Sequence, residues 1–361
     1  MSDNPDILLV GSNRTIGGIQ RYIDQQTKHL SSKASVRVYD IEPSHGTGPV
    51  CLIMIILQTI FDALLFPFRR RPDIVHVHTA QWFSFYRATF YVLFSAYVWR
   101  VPVVLHVHGS SFDEFLTTNS IIANTIQAIG FRASSTVITL SDYWKELVET
   151  HTEADHIITI PNAVDPKLYT ASSDSVDPTI VYVSHLSKRK GAAEFATAVS
   201  DLVDQQDDVT VHIAGSGSYA DRIEQLESNY DEVHYHGYVS ESKKRDLLAE
   251  GTIFVLPSYA EGLPIAILEA MAAGNAIVST SVGSIPEVIT EKRGRIVKPG
   301  DPDALFAELQ SLCDSRLSVS KMGKQNQEAI NIQYNWDRIG LELFNLYTKL
   351  LRSKSRAKEE I

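Results

Sequence analysis

Glu261 and Glu269 stand eight residues apart in EGLPIAILEA (261–270), among Pro264, Ile265, Ile267 and Leu268. A carboxylate in such apolar company must be desolvated, which is costly unless a partner compensates. Paired carboxylates first suggest general acid–base work. Recognition of hydroxyl groups is the competing chemistry, since an ionised carboxylate only accepts hydrogen bonds. Pro264 is a favourable first helical residue, which puts Glu261 in the loop at the positive end of a helix and Glu269 about two turns in. The backbone N–H groups of Gly262 and Leu263 then offer themselves to an anion. Phosphate donors beside two hydroxyl acceptors suit a sugar nucleotide, a diphosphate flanked by a ribose and a hexose.

Other segments point to the same ligand more weakly. VSHLSKRKG (183–191) sets His185 at a strand end and Lys188, Arg189 and Lys190 before Gly191, a cluster that suits a diphosphate or a solvated turn. IGGIQRYI (16–23) places Gly17 and Gly18 where a helix start meets a preceding strand, so the backbone can approach an anion. GSGSYA (215–220) fits the dinucleotide fingerprint, but it follows the second strand of its half rather than the first, so a phosphate-side turn or a merely tight strand-to-helix turn is the better reading. In VVLHVHG (103–109), His106 and His108 alternate onto one face, with His108 at the carboxyl end where ligands sit. His106, and His76 and His78 one strand earlier, read as core histidines. The four do not read as a metal set, because each strand offers its own pair without a carboxylate at ligand spacing.

These residues need elements to hold them. Strand-like runs recur at 6–12, 35–41, 73–78, 103–109, 136–141 and 156–161, then at 179–185, 209–215, 233–239, 253–258, 276–281 and 294–299. Several are continuous apolar runs, the mark of parallel strands covered on both faces. Turn formers cluster at 160–178 and separate the two series. The expectation is an α/β protein of two Rossmann-like, doubly wound domains in tandem, with ligands outside the carboxyl ends of the strands in the cleft they face. A length of 361 residues fits two domains. A net charge of -10 argues against a nucleic-acid partner. Two distant cysteines fit a reducing compartment, and MSDNPDILLV has neither the basic region nor the apolar core of a signal peptide.

Taken together and in order, the motifs closely resemble those of the retaining glycosyltransferases of family 4, the group 1 enzymes of GT-B fold. The E-x7-E signature is Glu261 and Glu269, the GG turn is Gly17 and Gly18, and the strand-end histidine is His108. PNAVD (161–165), SHLSKRKG (184–191), Gly215 and Gly217, HGYV (236–239) and VGSIPEVI (282–289) also match. YNWDRIGLELFNLYTKLL (334–351) resembles the terminal helix that crosses back onto the first domain. The resemblance implies an acceptor-side domain at 1–165, a nucleotide-sugar domain at 166–335 and a crossing helix at 336–352. It assigns the ribose hydroxyls to Glu269, donor-sugar hydroxyls to Glu261, and the diphosphate to Lys190, Gly17, Gly18 and the Gly262–Leu263–Pro264 helix start. The backbone at Tyr238 and Val239 would hold the base, and His108 would sit against the donor sugar. No metal is implied, and no cofactor beyond the nucleotide-diphosphate sugar itself, expected to be UDP-linked. There are departures: His185 stands for the family's arginine, Ser184 for the glycine before it, and Ala163 and Ser284 for other glycines.

The expected activity is hexose transfer to a lipid-linked or polysaccharide acceptor at the cytoplasmic face of a membrane. The competing readings are a sugar-nucleotide epimerase on the same fold and a non-catalytic paralogue that serves as a partner subunit. The run Val50–Phe68, followed by Arg69, Arg70 and Arg71, is long enough to span a bilayer, though Gln58, Asp62 and Pro67 interrupt it. It reads as a buried core helix or as a helix lying on an anionic membrane surface. The aromatic segment 80–100 poses the same choice.

Overall fold

The expected strands are present, and all but the run at 73–78, which continues to Thr79, end sooner than expected because the last residues turn into loops. In the computed structural model, which describes residues 4–12, 17–41, 48–170, 178–206 and 208–359, contacts divide the chain into two compact units. One unit comprises Met1–Pro161 with Trp336–Ile361, and the other Asn162–Asn335.

The first unit holds β1 (Asp6–Gly11), β2 (Ser35–Asp40), β3 (Ile74–Thr79), β4 (Val103–Val107), β5 (Thr136–Thr139) and β6 (Ile157–Thr159). They form one parallel sheet in the order β2-β1-β3-β4-β5-β6. Every residue of β3 and β4 is buried, as strands covered on both faces must be. Helices α1 (Gly18–Leu30), α2 (Pro49–Leu65) and α3 (Phe83–Leu93) follow β1, β2 and β3. The terminal helix Trp336–Glu359 packs against α1 and runs past the expected end at 352 into the charged stretch that follows. Its anchor is polar as well as apolar. Tyr347 Oη lies 2.6 Å from His76 Nδ1 and accepts from Gln26 Nε2 at 2.7 Å, all three residues being buried.

The second unit holds β7 (Thr179–Val183), β8 (Thr210–Ala214), β9 (Val233–Tyr235), β10 (Ile253–Leu256), β11 (Ala276–Thr280) and β12 (Gly294–Val297). The order is β12-β11-β10-β7-β8-β9, all parallel. The chain winds one way from β7 to β9, then returns to β10 and winds the other way. Crevices for ligands open where such an order reverses, at the carboxyl ends of the two strands flanking the switch. Here those strands are β7 and β10, which lead into the Lys190 and Glu261 loops.

The expectation of a buried core helix at 50–68 is overturned. Only Phe66 of that stretch is buried, and Leu57 is 60% and Phe68 86% exposed. The second aromatic segment mostly packs inward. Phe85 and Tyr91 of α3 are fully buried, while Phe83, Phe90 and Tyr97 keep surface. Asp301 caps the helix Pro302–Cys313, its Oδ1 accepting from Ala304 N at 2.9 Å.

Candidate functional site

Three hydrogen bonds join the loops that leave β7 and β10, and a fourth braces the second loop from within. Tyr259 N donates to Arg189 O at 2.8 Å, and Arg189 Nη1 donates to Ala260 O at 3.1 Å. Lys190 Nζ donates to Glu261 Oε1 at 2.5 Å, and Ser258 Oγ donates to the same oxygen at 2.7 Å. Arg189 adds a looser ion pair, 3.9 Å from Glu261 Oε2. The Glu261 carboxylate is thus buried, at 5% exposure, but not uncompensated. The basic cluster read from SHLSKRKG therefore divides. Arg189 and Lys190 turn to the glutamate loop within a single 3₁₀ turn, Lys188–Lys190, and His185 remains exposed.

The same loop is fixed from its other side. Gly283 has φ +53°, and a Cβ there would lie 1.9 Å from Glu261 O, so only glycine lets the VGSIPEVI turn pass so close. Ser284 N then donates to Gly262 O at 3.0 Å. Pro264 precedes the helix Ile265–Ala273 as its cap, with ψ 120°, instead of occupying the first helical position. The helix therefore starts one residue later than expected, and Glu269 is its fifth residue, just over one turn in.

Glu269 is also 5% exposed, and its Oε1 accepts from Lys244 Nζ at 2.6 Å and Tyr169 Oη at 3.0 Å. Burial and the adjacent carboxylate push the Tyr169 phenol up, keeping it a donor. Lys244 is itself buried and bonds Glu241 at 2.8 Å. Sequence reading missed Lys244, Tyr169, Ser258 and Gly283 as parts of the site. Lys244 sits in SESKKRDLL, which looks like a solvated face, and Tyr169 lies in the turn-rich stretch after the first strand series. Local pattern carries no signal for either.

The remaining positions of this unit lie on neighbouring loops. Gly217, φ +153°, packs so that a Cβ would meet Leu186 O at 2.2 Å, which makes GSGSYA a tight turn. Gly215 N donates to Gly237 O at 2.8 Å, tying that turn to HGYV, where Tyr238 is 71% exposed and Val239 half-buried. One unit thus gathers Glu261, Lys190, His185, Gly262, Leu263, Pro264, Tyr238 and Val239 on the loops of a single sheet, and Glu269 on the helix that follows one of them.

His108, Gly17 and Gly18 belong to the other unit. Gly17 caps α1, and both glycines are exposed. The two histidine pairs, read as separate, converge because β3 and β4 are neighbours with His78 opposite His106. His78 Nδ1 lies 3.0 Å from His108 Nε2, and His76 Nε2 lies 3.3 Å from His106 Nδ1. Nitrogens of His76, His78 and His106 come within 4.8 Å of one another, a spacing that could admit a metal ion, whereas the sequence reading held that these residues do not form such a set. The Tyr22 ring packs over His78, His106 and His108 at 5.6, 4.9 and 5.0 Å between centroids. Burial pushes His76 and His108 down to about 3, and drives His78 and His106 well below the ordinary histidine range, with neighbouring imidazoles adding to the effect. His108 is therefore neutral at pH 7, able to hydrogen-bond but not to carry charge.

Comparison with known proteins agrees with this architecture. A family model described as Glycosyltransferase Family 4 matches residues 16–168, and one described as Glycosyl transferases group 1 matches 177–315. Over 255 residues the chain is 29% identical to a component of the human phosphatidylinositol N-acetylglucosaminyltransferase, covering 68% of this chain and 49% of that protein. The chain thus spans about half the length of that curated relative. Among solved structures, sucrose-phosphate synthase from Thermosynechococcus elongatus superposes with a TM-score of 0.78 at 17% identity, covering 96% of this chain and all of that one. Anabaena Alr3699/HepE in complex with UDP-glucose gives 0.73 at 16% identity, over 96% of this chain and 100% of that one. At those identities the solved structures speak to fold alone.

Proposed function

Because this chain belongs to glycosyltransferase family 4, we propose that it moves a hexose, with retention of anomeric configuration and without a metal, from a UDP-linked sugar to a lipid-linked or polysaccharide acceptor. The observation that carries this reading is the Glu261–Lys190 pair at the switch point of the second sheet, with Glu269 held by Lys244 and Tyr169 on the helix that follows. A buried carboxylate beside a cation is what a donor with hydroxyls at one end and a diphosphate in the middle requires. The names of the relatives support the choice of ligands: one belongs to a phosphatidylinositol N-acetylglucosaminyltransferase, another was solved with UDP-glucose.

In this reading Glu261 accepts from the sugar hydroxyls and Glu269 from the ribose. The loop at Tyr238 and Val239 holds the base, and Gly262, Leu263 and Pro264 present the helix start to the diphosphate. As the glycosidic bond breaks, negative charge collects on the departing diphosphate. Lys190, whose ammonium has three donors, then serves Glu261 and the phosphate together, and its attraction grows with that charge. His185, Gly17 and Gly18 are assigned to the same diphosphate. His108 enters through the family resemblance, and as a neutral imidazole it acts through a hydrogen bond to the sugar.

The test is a thermal-shift screen against UDP-, GDP- and ADP-sugars, followed by titration of Glu269→Gln. That substitution keeps shape and removes charge, and it should weaken UDP-sugar binding by on the order of a hundredfold, as losing a charge-assisted bond does. Undiminished affinity in the variant would overturn the assignment of Glu269. Conversion of the donor to an isomer with no acceptor present would replace transfer by epimerisation.

A further inference from the structure

Helix α2 is built inside out. Its polar side chains Gln58, Thr59 and Asp62 lie on the half-buried stripe that faces the body of the first unit, where Tyr39 Oη donates to Asp62 O at 2.6 Å. The opposite stripe, Ile53, Leu57, Ile60 and Leu64, is apolar and exposed, flanked by Phe61 and Phe68. Helices that cover a sheet in water show the reverse order, apolar inward and polar outward. Patches of exposed apolar surface of this kind mark a partner or a membrane.

From this reversal we infer that α2 is an in-plane membrane anchor, its outer stripe sunk into the acyl region of an anionic phospholipid surface. Charge selects lipid as the occupant. The helix runs into Arg69, Arg70 and Arg71, all exposed, although the chain as a whole carries a net charge of -10. Three adjacent arginines at the end of an apolar helix are placed for the phosphate layer above the acyl chains.

Topology decides between lying on the bilayer and crossing it. Residues Val50–Phe68 are long and apolar enough to cross. Yet α2 connects β2 to β3, and both strands pair in parallel with β1 in one sheet. A crossing helix would leave those two strands on opposite sides of the membrane and tear β1 from one of them. The helix must therefore lie along the surface. The inference stands apart from the donor-site reading, because binding to lipid is measured without turnover.

The experiment is flotation of the full chain with vesicles of phosphatidylcholine alone and of phosphatidylcholine with phosphatidylglycerol. Binding should favour the anionic vesicles and fall with added salt. Leu57→Glu with Leu64→Glu should abolish it, and replacing Arg69, Arg70 and Arg71 by glutamine should weaken it on the order of a hundredfold on anionic vesicles only. Because Leu57 and Leu64 are exposed, the double variant should keep its circular dichroism and its response to UDP-sugars, which separates loss of anchoring from loss of fold or of the donor site. A fluorophore at Ile53→Cys and one at Leu64→Cys should be quenched at the same shallow depth by labelled lipids. Equal binding to both vesicle types, indifference to the glutamates, or a depth difference approaching the bilayer thickness would each overturn the proposal. So would a dimer in lipid-free buffer that Leu57→Glu dissociates.

Discussion

Acid should unfold the first unit through its histidine cluster, and the size of the effect follows from burial. His76, His78 and His106 are 0%, 2% and 0% exposed, and their folded pKa values lie far below the 6.5 of an unfolded chain. The folded state stays neutral while the unfolded chain takes up protons, so stability is complete above the unfolded value and falls as pH drops below it. Between pH 7 and pH 5 each buried histidine should cost about 1.9 kcal/mol, and the three together about 6 kcal/mol. That is comparable with the whole stability of many domains. His108, which keeps some surface, adds a smaller amount in the same direction. The assay is urea unfolding followed by tryptophan fluorescence, which reports this unit selectively because Trp82, Trp99, Trp144 and Trp336 all lie in it. His106→Gln should remove about a third of the pH-dependent loss, read as a difference so that constant packing costs cancel. A loss smaller than about 2 kcal/mol between the two pH values, the share of one histidine, would refute the reasoning.

Other outcomes follow from the second unit. Gly283→Ala should displace the Glu261 loop and cut turnover on the order of a hundredfold with a lowered melting temperature, measured by nucleoside diphosphate release and thermal melting. Lys190→Met should destabilise the unit by about 3 kcal/mol by leaving the buried Glu261 with only the Ser258 hydroxyl and the looser Arg189 pair, and adding Glu261→Gln should restore most of the stability but not donor binding. Calorimetry of the single and double variants closes that cycle. His185→Arg should tighten UDP binding about tenfold by adding a bidentate cation at the diphosphate, measured by titration calorimetry.

The fold was legible because parallel strands buried on both faces must be continuously apolar. DIVHVH and IFVLPS announce β3 and β10 without any partner being known. The donor loop was legible for a related reason: two glutamates, one before and one within an apolar helix, cannot be ignored. What compensates them was not legible. Lys244 reaches Glu269 across 25 residues and Tyr169 across 100, and nothing in either neighbourhood distinguishes these side chains from surface ones. The direction in which α2 faces was equally hidden. Its composition shows an apolar helix, but only packing shows that Gln58 and Asp62 are on the inside. Convergence of the histidines needed the register that sets His78 beside His106.

The terminal helix has a consequence for biosynthesis. Tyr347 completes the hydrogen bonds of His76, 271 residues upstream, while the second unit is one uninterrupted stretch of chain. At ribosomal speeds of about 5–20 residues per second, the nascent first sheet waits tens of seconds for its last helix. During that wait the intervening unit can mature alone. The earliest-made part of the molecule is thus the last to be finished, and a stalled or clipped carboxyl end would expose its polar core to the folding machinery of the cell.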